Sequence, residues 1–358
     1  MKSLSKLAIA AAAALTLVAS PILTSAPAEA AQKKEFKVAW SIYVGWMPWG
    51  YAQEHGIVKK WADKYGLKIE VVQFNDYIES INQYTAGSLD GVLATNMDAL
   101  AIPSVGGVDT TALIVGDYSN GNDAIILKDK SKLEDIKGQK VNLVELSVSH
   151  YTLARALETV GLSEKDVTVV NTSDADMEAA WKTDDVTAMV TWNPMVASIL
   201  KDPKANSVFD SSAIPGEIQD LLVVNTETLA DNPDFGKAMV GIWFETLALM
   251  QDGEAGAAAR TEMATASGTD LAGYDGQLST TKMFWTPEEM VAFTTGDLVP
   301  VMDKVRNFLF THGLLGNNAP SADVVGIEFA DGKIIGDANN VKFRFTDKYM
   351  KLAAEGKL

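Results

Sequence analysis

Apolar residues in this chain fall into short runs that alternate with longer stretches of helical spacing. Phe36–Ile42 (FKVAWSI) is predicted as a strand, Met47–Tyr65 as a helix closed by Gly66, and Leu67–Phe74 (LKIEVVQF) as the next strand. A short helix through Ile81 and Tyr84 stops at Gly87, and Leu89–Thr95 is a third strand. Asp98–Ile102 reads as a helical turn ended by Pro103, followed by strands at Thr110–Gly116 and Ala124–Leu127. The alternation then restarts, with strands at Gln139–Val144, Val167–Val170 and Val186–Thr191 and helices at Tyr151–Val160 and Met177–Trp181. Leu221–Asn225 (LLVVN) is a late strand, placed to cross back towards the first block. Helices are predicted over 235–250, 287–293 and 298–311, while the Gly-, Ala- and Thr-rich stretch 253–276 is left unassigned.

Strands alternating with helices predict a mostly parallel sheet covered by helices. Two such blocks joined by strands predict an α/β protein of two lobes with a hinge and an interlobe cleft. The expected division is 31–122 plus about 220–358 for the first lobe and about 123–219 for the second.

The first thirty residues fall outside this pattern. Lys2 and Lys6 precede an apolar run, Leu7–Ala19, and Ala28-Glu29-Ala30 has the small-x-small form of a cleavage site. A secretory signal peptide over residues 1–30 is expected, and with it a periplasmic or secreted location. The chain has no cysteine, which excludes disulfides, thiol catalysis and a thiolate-bound metal. Its net charge of −17 at pH 7 repels nucleic acid and anionic lipid, so neither is expected as a partner.

Ligands of open α/β sheets sit beyond the carboxyl ends of the strands. That rule selects Ser41–Trp49, Thr95–Asp98, Gly116–Asp123, Glu145–Tyr151 and Thr191–Pro194. These segments hold Asp98, Asp117, Asp123 and Glu145, no Lys or Arg, and one possible cation, His150. Trp46 and Trp192 are candidate stacking faces for a planar cation, with Tyr43 behind them, whereas Trp40 lies inside a strand and reads as core. Glu145 follows a strand directly, where a carboxylate can accept paired N–H bonds or simply favour a helix N-terminus. Asp98 and Asn96 are equally suited to contact a ligand or to cap the following helix. Asp117, Asp123 and Glu217 read more readily as turn residues. His150 is a cleft-lining or capping candidate.

No nucleophile elbow, phosphate loop, dinucleotide fingerprint or metal-ligand spacing occurs, and the three histidines, His55, His150 and His312, are far apart in sequence. No cofactor, no metal and no enzymatic activity are expected.

The pocket segments carry a family resemblance. WSIYVGWMP at 40–48, AQEHGIV at 52–58, AGSLDGVLATN at 86–96, SVSHY at 147–151, VTWNP at 190–194 and IWFET at 242–246 resemble the taurine, alkanesulfonate and nitrate receptors. Within that superfamily the chain looks similar to the receptors associated with urea carboxylase operons. The resemblance implies a periplasmic binding protein fold, guanidinium or urea as ligand, and the permease and ATPase subunits of an ABC importer as partners to a monomer. An oxyanion or sulfonate receptor and, more remotely, a secreted hydrolase remain as alternatives.

Overall fold

The computed structural model describes residues 33–296, 298–316 and 319–358. The expected signal segment lies outside the described residues. Among them, no helix is long and apolar enough to cross a membrane.

Among the described residues, fourteen strands form two sheets: β1 (Glu35–Ser41), β2 (Lys68–Phe74), β3 (Gly91–Thr95), β4 (Thr110–Ser119), β5 (Ala124–Lys128), β6 (Lys140–Leu143), β7 (Thr168–Asn171), β8 (Ala188–Thr191), β9 (Ala205–Asp210), β10 (Gln219–Asn225), β11 (Thr281–Met283), β12 (Gly326–Glu328), β13 (Ile334–Ile335) and β14 (Val341–Phe345). The first sheet runs β13-β12-β14-β4-β10-β3-β1-β2, with β11 added to β4, and the second runs β7-β6-β8-β5-β9. The chain passes between the sheets twice, from β4 to β5 and from β9 to β10.

The sheets are mixed where a mostly parallel arrangement was expected. β10 runs antiparallel to both β3 and β4 at the centre of the first sheet, and β5 runs antiparallel to β8 and β9 in the second. Each reversal follows a crossing: β5 comes directly after β4 and β10 directly after β9, each from the other sheet. β3 is buried throughout, which explains its uninterrupted apolar run.

Three local expectations change. The helix predicted over 47–65 is two helices, Met47–Glu54 and Ile57–Lys64, parted at Gly56, whose φ of 76° is left-handed. Pro103 does not end its turn; the turn widens across Leu100–Ser104 and closes with the Val105 N–H on the Leu100 carbonyl at 3.1 Å. The unassigned stretch 253–276 folds mainly as two helices, Gly253–Ala266 and Leu271–Leu278, the second capped by the Asp270 carboxylate.

A small apolar core packs the second sheet, through Ile125, Leu127, Val141, Leu143 and Val190, against Leu153 and Leu157 of the helix Val148–Thr159. The larger core fills the first sheet and runs on through the aromatic residues between the two sheets.

Candidate functional site

The two crossings lie side by side. The Ser119 N–H donates to the Ile218 carbonyl and the Ser211 N–H to the Asp123 carbonyl, both at 2.9 Å. The Ser119 and Ser211 hydroxyls meet at 2.6 Å, and Ser119 Oγ also donates to Asp123 Oδ2 at 2.6 Å. This double strap sets Asp123 and Asp220 at the bottom of the space between the sheets.

Above it lies a small cavity of about 20 Å³. One water needs roughly 10–15 Å³, so the space suits a compact solute of a few heavy atoms. Four aromatic rings surround it, Tyr43, Trp46, Tyr77 and Trp192. Tyr43 and Trp46 meet edge to face at 5.1 Å, and Tyr77 meets Trp192 the same way at 5.7 Å. Thr95, Asn122, Asp123, Val148 and Asp220 complete the lining.

Hydrogen bonds from one sheet's loops to the other's hold the cleft shut. Trp192 Nε1, after β8, donates to the Ile42 carbonyl, after β1, at 3.3 Å. The Tyr77 N–H donates to Asp174 at 3.2 Å, Ser173 Oγ to Asp76 at 2.7 Å, and Asn193 Nδ2 to Thr280 Oγ1 at 3.1 Å.

The electrostatics are one-sided. Asp98, Asp117, Asp123 and Asp220 are all buried, and among the described residues no Lys, Arg or His forms an ion pair with any of them. Asp98 Oδ2 accepts from Tyr77 Oη (2.7 Å), Thr95 Oγ1 (3.0 Å) and the Val148 N–H (3.3 Å). Asp117 Oδ1 accepts from Tyr43 Oη at 2.7 Å. Burial outweighs these bonds and pushes Asp98, Asp117 and Asp123 each up to about 6. Asp220 is driven further up, by burial and then by the neighbouring charges of Asp117 and Asp123.

The hydroxyl donors around the cavity are already engaged: Tyr43 gives its proton to Asp117, and Tyr77 and Thr95 give theirs to Asp98. The buried oxygens without a donor include Asp98 Oδ1, Asp117 Oδ2 and Asn122 Oδ1. The N-terminus of the helix Val148–Thr159, which could otherwise hold an anion, is taken: the Val148 N–H by Asp98 and the Ser149 N–H by Ser147 Oγ. The cavity therefore offers acceptors, negative charge and ring faces.

The residues expected from sequence separate into three groups. Tyr43, Trp46 and Trp192 line the cavity. Asp98 sits directly behind the lining, holding Tyr77 and Thr95. Asn96, Glu145 and His150 do not reach it. Asn96 braces the second crossing, donating to the Glu217 carbonyl (3.1 Å) and accepting from the Gln219 N–H (3.1 Å). Glu145 is exposed, and only its backbone N–H is tied down, by Asn171. It projects to solvent because the left-handed Leu146 (φ 62°) turns the chain before the helix begins.

His150 belongs to a separate cluster. Its Nδ1 accepts the Leu146 N–H at 3.1 Å, which places its proton on Nε2, against the Glu164 carboxylate. The other Glu164 oxygen meets His312 Nε2, and His312 Nδ1 donates to the Phe308 carbonyl at 2.8 Å. With both nitrogens donating, His312 is an imidazolium. The three atoms lie within 4.8 Å of one another, but with Nδ1 accepting from Leu146 the proton on Nε2 stands where a metal ion would have to bind His150.

Tyr77 and Asp220 were missed. Tyr77 stood within reach of the strand-end rule, since it follows β2 closely. Asp220 did not. It lies at the amino end of its strand, and only the antiparallel direction of β10 brings that end to the cleft.

The sequence profile of the NMT1-like family matches residues 32–267. The taurine-binding periplasmic protein of Escherichia coli (strain K12) is 28% identical over 129 residues, 35% of this chain and 40% of that protein. A putative binding protein of Brucella abortus (strain 2308) is 25% identical over 189 residues, 50% of this chain and 56% of that protein. The chain thus spans about half the length of these curated relatives. Among solved structures, the alkanesulfonate-binding protein of Xanthomonas axonopodis pv. citri bound to MOPS aligns with a TM-score of 0.63 at 18% identity, covering 80% of this chain and 96% of that one. The nitrate-binding protein of Synechocystis PCC 6803 aligns with a TM-score of 0.58 at 13% identity, covering 91% and 99%. The fold is that of the periplasmic binding proteins.

Proposed function

This chain belongs to the NMT1-like family, and on that premise we propose that it is the solute-binding receptor of an ABC-type importer, with guanidinium as its ligand and urea as the second candidate. The carrying observation is a cavity of about 20 Å³ lined by Asp123, Asp220 and four aromatic rings, with no Lys, Arg or His among the described residues that line it. A sulfonate or nitrate placed there would face two acidic side chains, Asp123 and Asp220, and find the nearby helix N-terminus already capped. Guanidinium brings a positive charge, only N–H donors, and a flat face for Trp46 and Trp192. Urea has nearly the same outline, but its oxygen needs a donor; the hydroxyls of Tyr43, Tyr77 and Thr95 are already in use, which leaves it the Trp46 indole and the Asn122 amide of the lining.

In this reading the protein is exported by the segment 1–30 and works as a monomer in the periplasm or outside the cell. Residues 31–122 with about 220–358 form one lobe and about 123–219 the other. The two crossings act as the hinge, and a membrane permease with its ATPase receives the closed form. Titration calorimetry against guanidinium chloride, urea, taurine and nitrate is the test. Guanidinium is expected to bind tightest; tighter binding of taurine or nitrate overturns the reading of the ligand.

A further inference from the structure

Asp117 and Asp220 are partners in the register of β4 and β10. Directly opposed residues of an antiparallel pair project to the same face with their side chains in contact range. Both are buried, Asp117 completely and Asp220 to all but 5%, each carboxyl group acts on the other's titration, and Asp117 Oδ2 has no other hydrogen-bond donor. Two carboxylate oxygens in that arrangement need a proton between them.

The surroundings decide where it sits. Asp117 Oδ1 accepts from Tyr43 Oη, and Thr281 Oγ1 lies within hydrogen-bond distance of both, so hydroxyl donors hold Asp117 as the anion. Asp220 faces the cavity and carries the proton, donating it to Asp117. The other titratable groups facing the pair are Asp123 on the first crossing and Tyr274 on the helix Leu271–Leu278. Neither brings positive charge.

We propose that the Asp117–Asp220 pair holds one proton in the ligand-free protein and that a monocation entering the cavity expels it, so that solute capture is an exchange of one proton for one cation. The O–H of Asp220 breaks, its proton leaves to solvent, and a ligand N–H takes its place as donor to the Asp220 oxygen. The charge inside the cavity is the same before and after, which removes most of the penalty for burying a cation beside ionised groups. The upward shift of Asp220 points the same way. This inference rests on the reading of the ligand as a small cation.

Calorimetry separates the two. Guanidinium chloride is titrated into the purified protein at pH 8 in phosphate and in Tris, which differ widely in ionisation enthalpy. At that pH Asp98 and Asp123, at about 6, are already ionised, so a proton counted there is the pair's. The expected result is a buffer-dependent enthalpy amounting to about one proton released per cation bound, with affinity falling about tenfold per pH unit as the medium is acidified. Asp220→Asn and, separately, Asp117→Asn should bind guanidinium without that release, whereas Asp123→Asn should weaken binding and keep it. Urea, having no charge, should bind with no proton released. Guanidinium binding with an enthalpy independent of buffer from pH 5 to 8 overturns the exchange and leaves the cation reading standing. Proton release on urea binding also overturns it. Absence of guanidinium binding at every pH overturns the reading of the site itself.

Discussion

Glu217 and Asp220 lie three residues apart where the chain returns to the first sheet, are equally buried at 5% exposure, and meet opposite electrostatic surroundings. Glu217 is gripped by Arg155 Nε at 2.8 Å, Arg155 Nη2 at 3.2 Å, Tyr151 Oη at 2.7 Å and Lys304 Nζ. Burial works to raise its pKa, the bonds from Arg155, Lys304 and Tyr151 outweigh that, and the net shift is downward. Asp220 has no base paired with it among the described residues; the Tyr43 hydroxyl favours its ionised form, but burial together with Asp117 and Asp123 outweighs that and drives it up. Glu164 repeats the first pattern: His150 and His312 overcome burial and bring it to about 2. On one side of the strap the protein supplies the positive partner itself; on the other, among the described residues, it supplies none, and equal burial leads to opposite shifts.

The largest expected effect is a dependence of stability on pH that the ligand abolishes. Asp98, Asp117 and Asp123 rise from 3.8 to about 6 on folding. A carboxyl raised in the folded state favours folding when protonated. Its contribution is complete below pH 3.8 and is lost as pH rises through about 6. At about 1.4 kcal/mol per pKa unit, each accounts for at most about 3 kcal/mol, and the set for several. The ligand-free protein should melt at a clearly higher temperature at pH 5 than at pH 8 in scanning calorimetry, and saturating guanidinium at millimolar concentration should close the gap. A melting temperature that rises from pH 5 to 8 without ligand contradicts the contrast.

Asp123→Asn sharpens the contrast from the ligand's side. A charge-assisted hydrogen bond contributes about 1.5–3 kcal/mol, so guanidinium affinity should fall between tenfold and about a hundredfold, with urea affected far less. Equal losses for both ligands would mean that Asp123 shapes the cavity without reading charge. Glu217→Gln tests the other side. It leaves Lys304 without its carboxylate and Arg155 with Glu158 alone, and because both bases reach water the cost is discounted to about 1–2 kcal/mol. Melting should drop by a few degrees at pH 7, while the guanidinium dissociation constant should stay within a fewfold of the native value. A larger effect on binding than on stability would place Glu217 in the closing motion.

How much of this was legible follows from which interactions are local. The alternation of elements and the crossing at 221–225 were readable because burial on a strand or helix face imprints a period on the sequence. Tyr43, Trp46 and Trp192 could be placed at the cavity because each follows a strand whose direction the alternation already implies. Glu145 and His150 could not be sorted by that rule. Whether a residue past a strand end points into the cleft depends on one backbone angle at Leu146 and on Glu164, which lies beyond the end of the intervening helix. Asp220 was out of reach because strand direction is set by pairing with β3 and β4. Its opposition to Asp117, from which the proton-sharing pair follows, is a property of register and not of either segment alone.

The smallest effect expected concerns His312, and it tests the claim that this side carries its own cations. His312 stands directly after the helix Val299–Thr311 and reaches Glu164, which opens the turn Glu164–Asp166 beside the second sheet. Burial works to lower its pKa, the bond to Glu164 works against that, and the net shift is upward from 6.5. A histidine raised on folding contributes stability that is complete below pH 6.5 and disappears as pH rises through its folded value. The His312 side chain keeps 16% of its surface exposed and Glu164 28%, so the contribution is partly screened, to roughly 0.5–1 kcal/mol. His312→Gln should therefore lower stability by about that amount at pH 5.5 and by almost nothing at pH 9. Glu164→Gln should erase the same increment, and the double variant should cost less than the two singles combined, because each removes the same pair. Guanidinium affinity should not move, since neither residue lines the cavity. A native protein whose melting temperature rises sharply with micromolar zinc, and loses that response in His312→Gln, would show instead that the cluster takes a metal ion; the imidazolium, and with it the built-in cation at this position, would then be wrong.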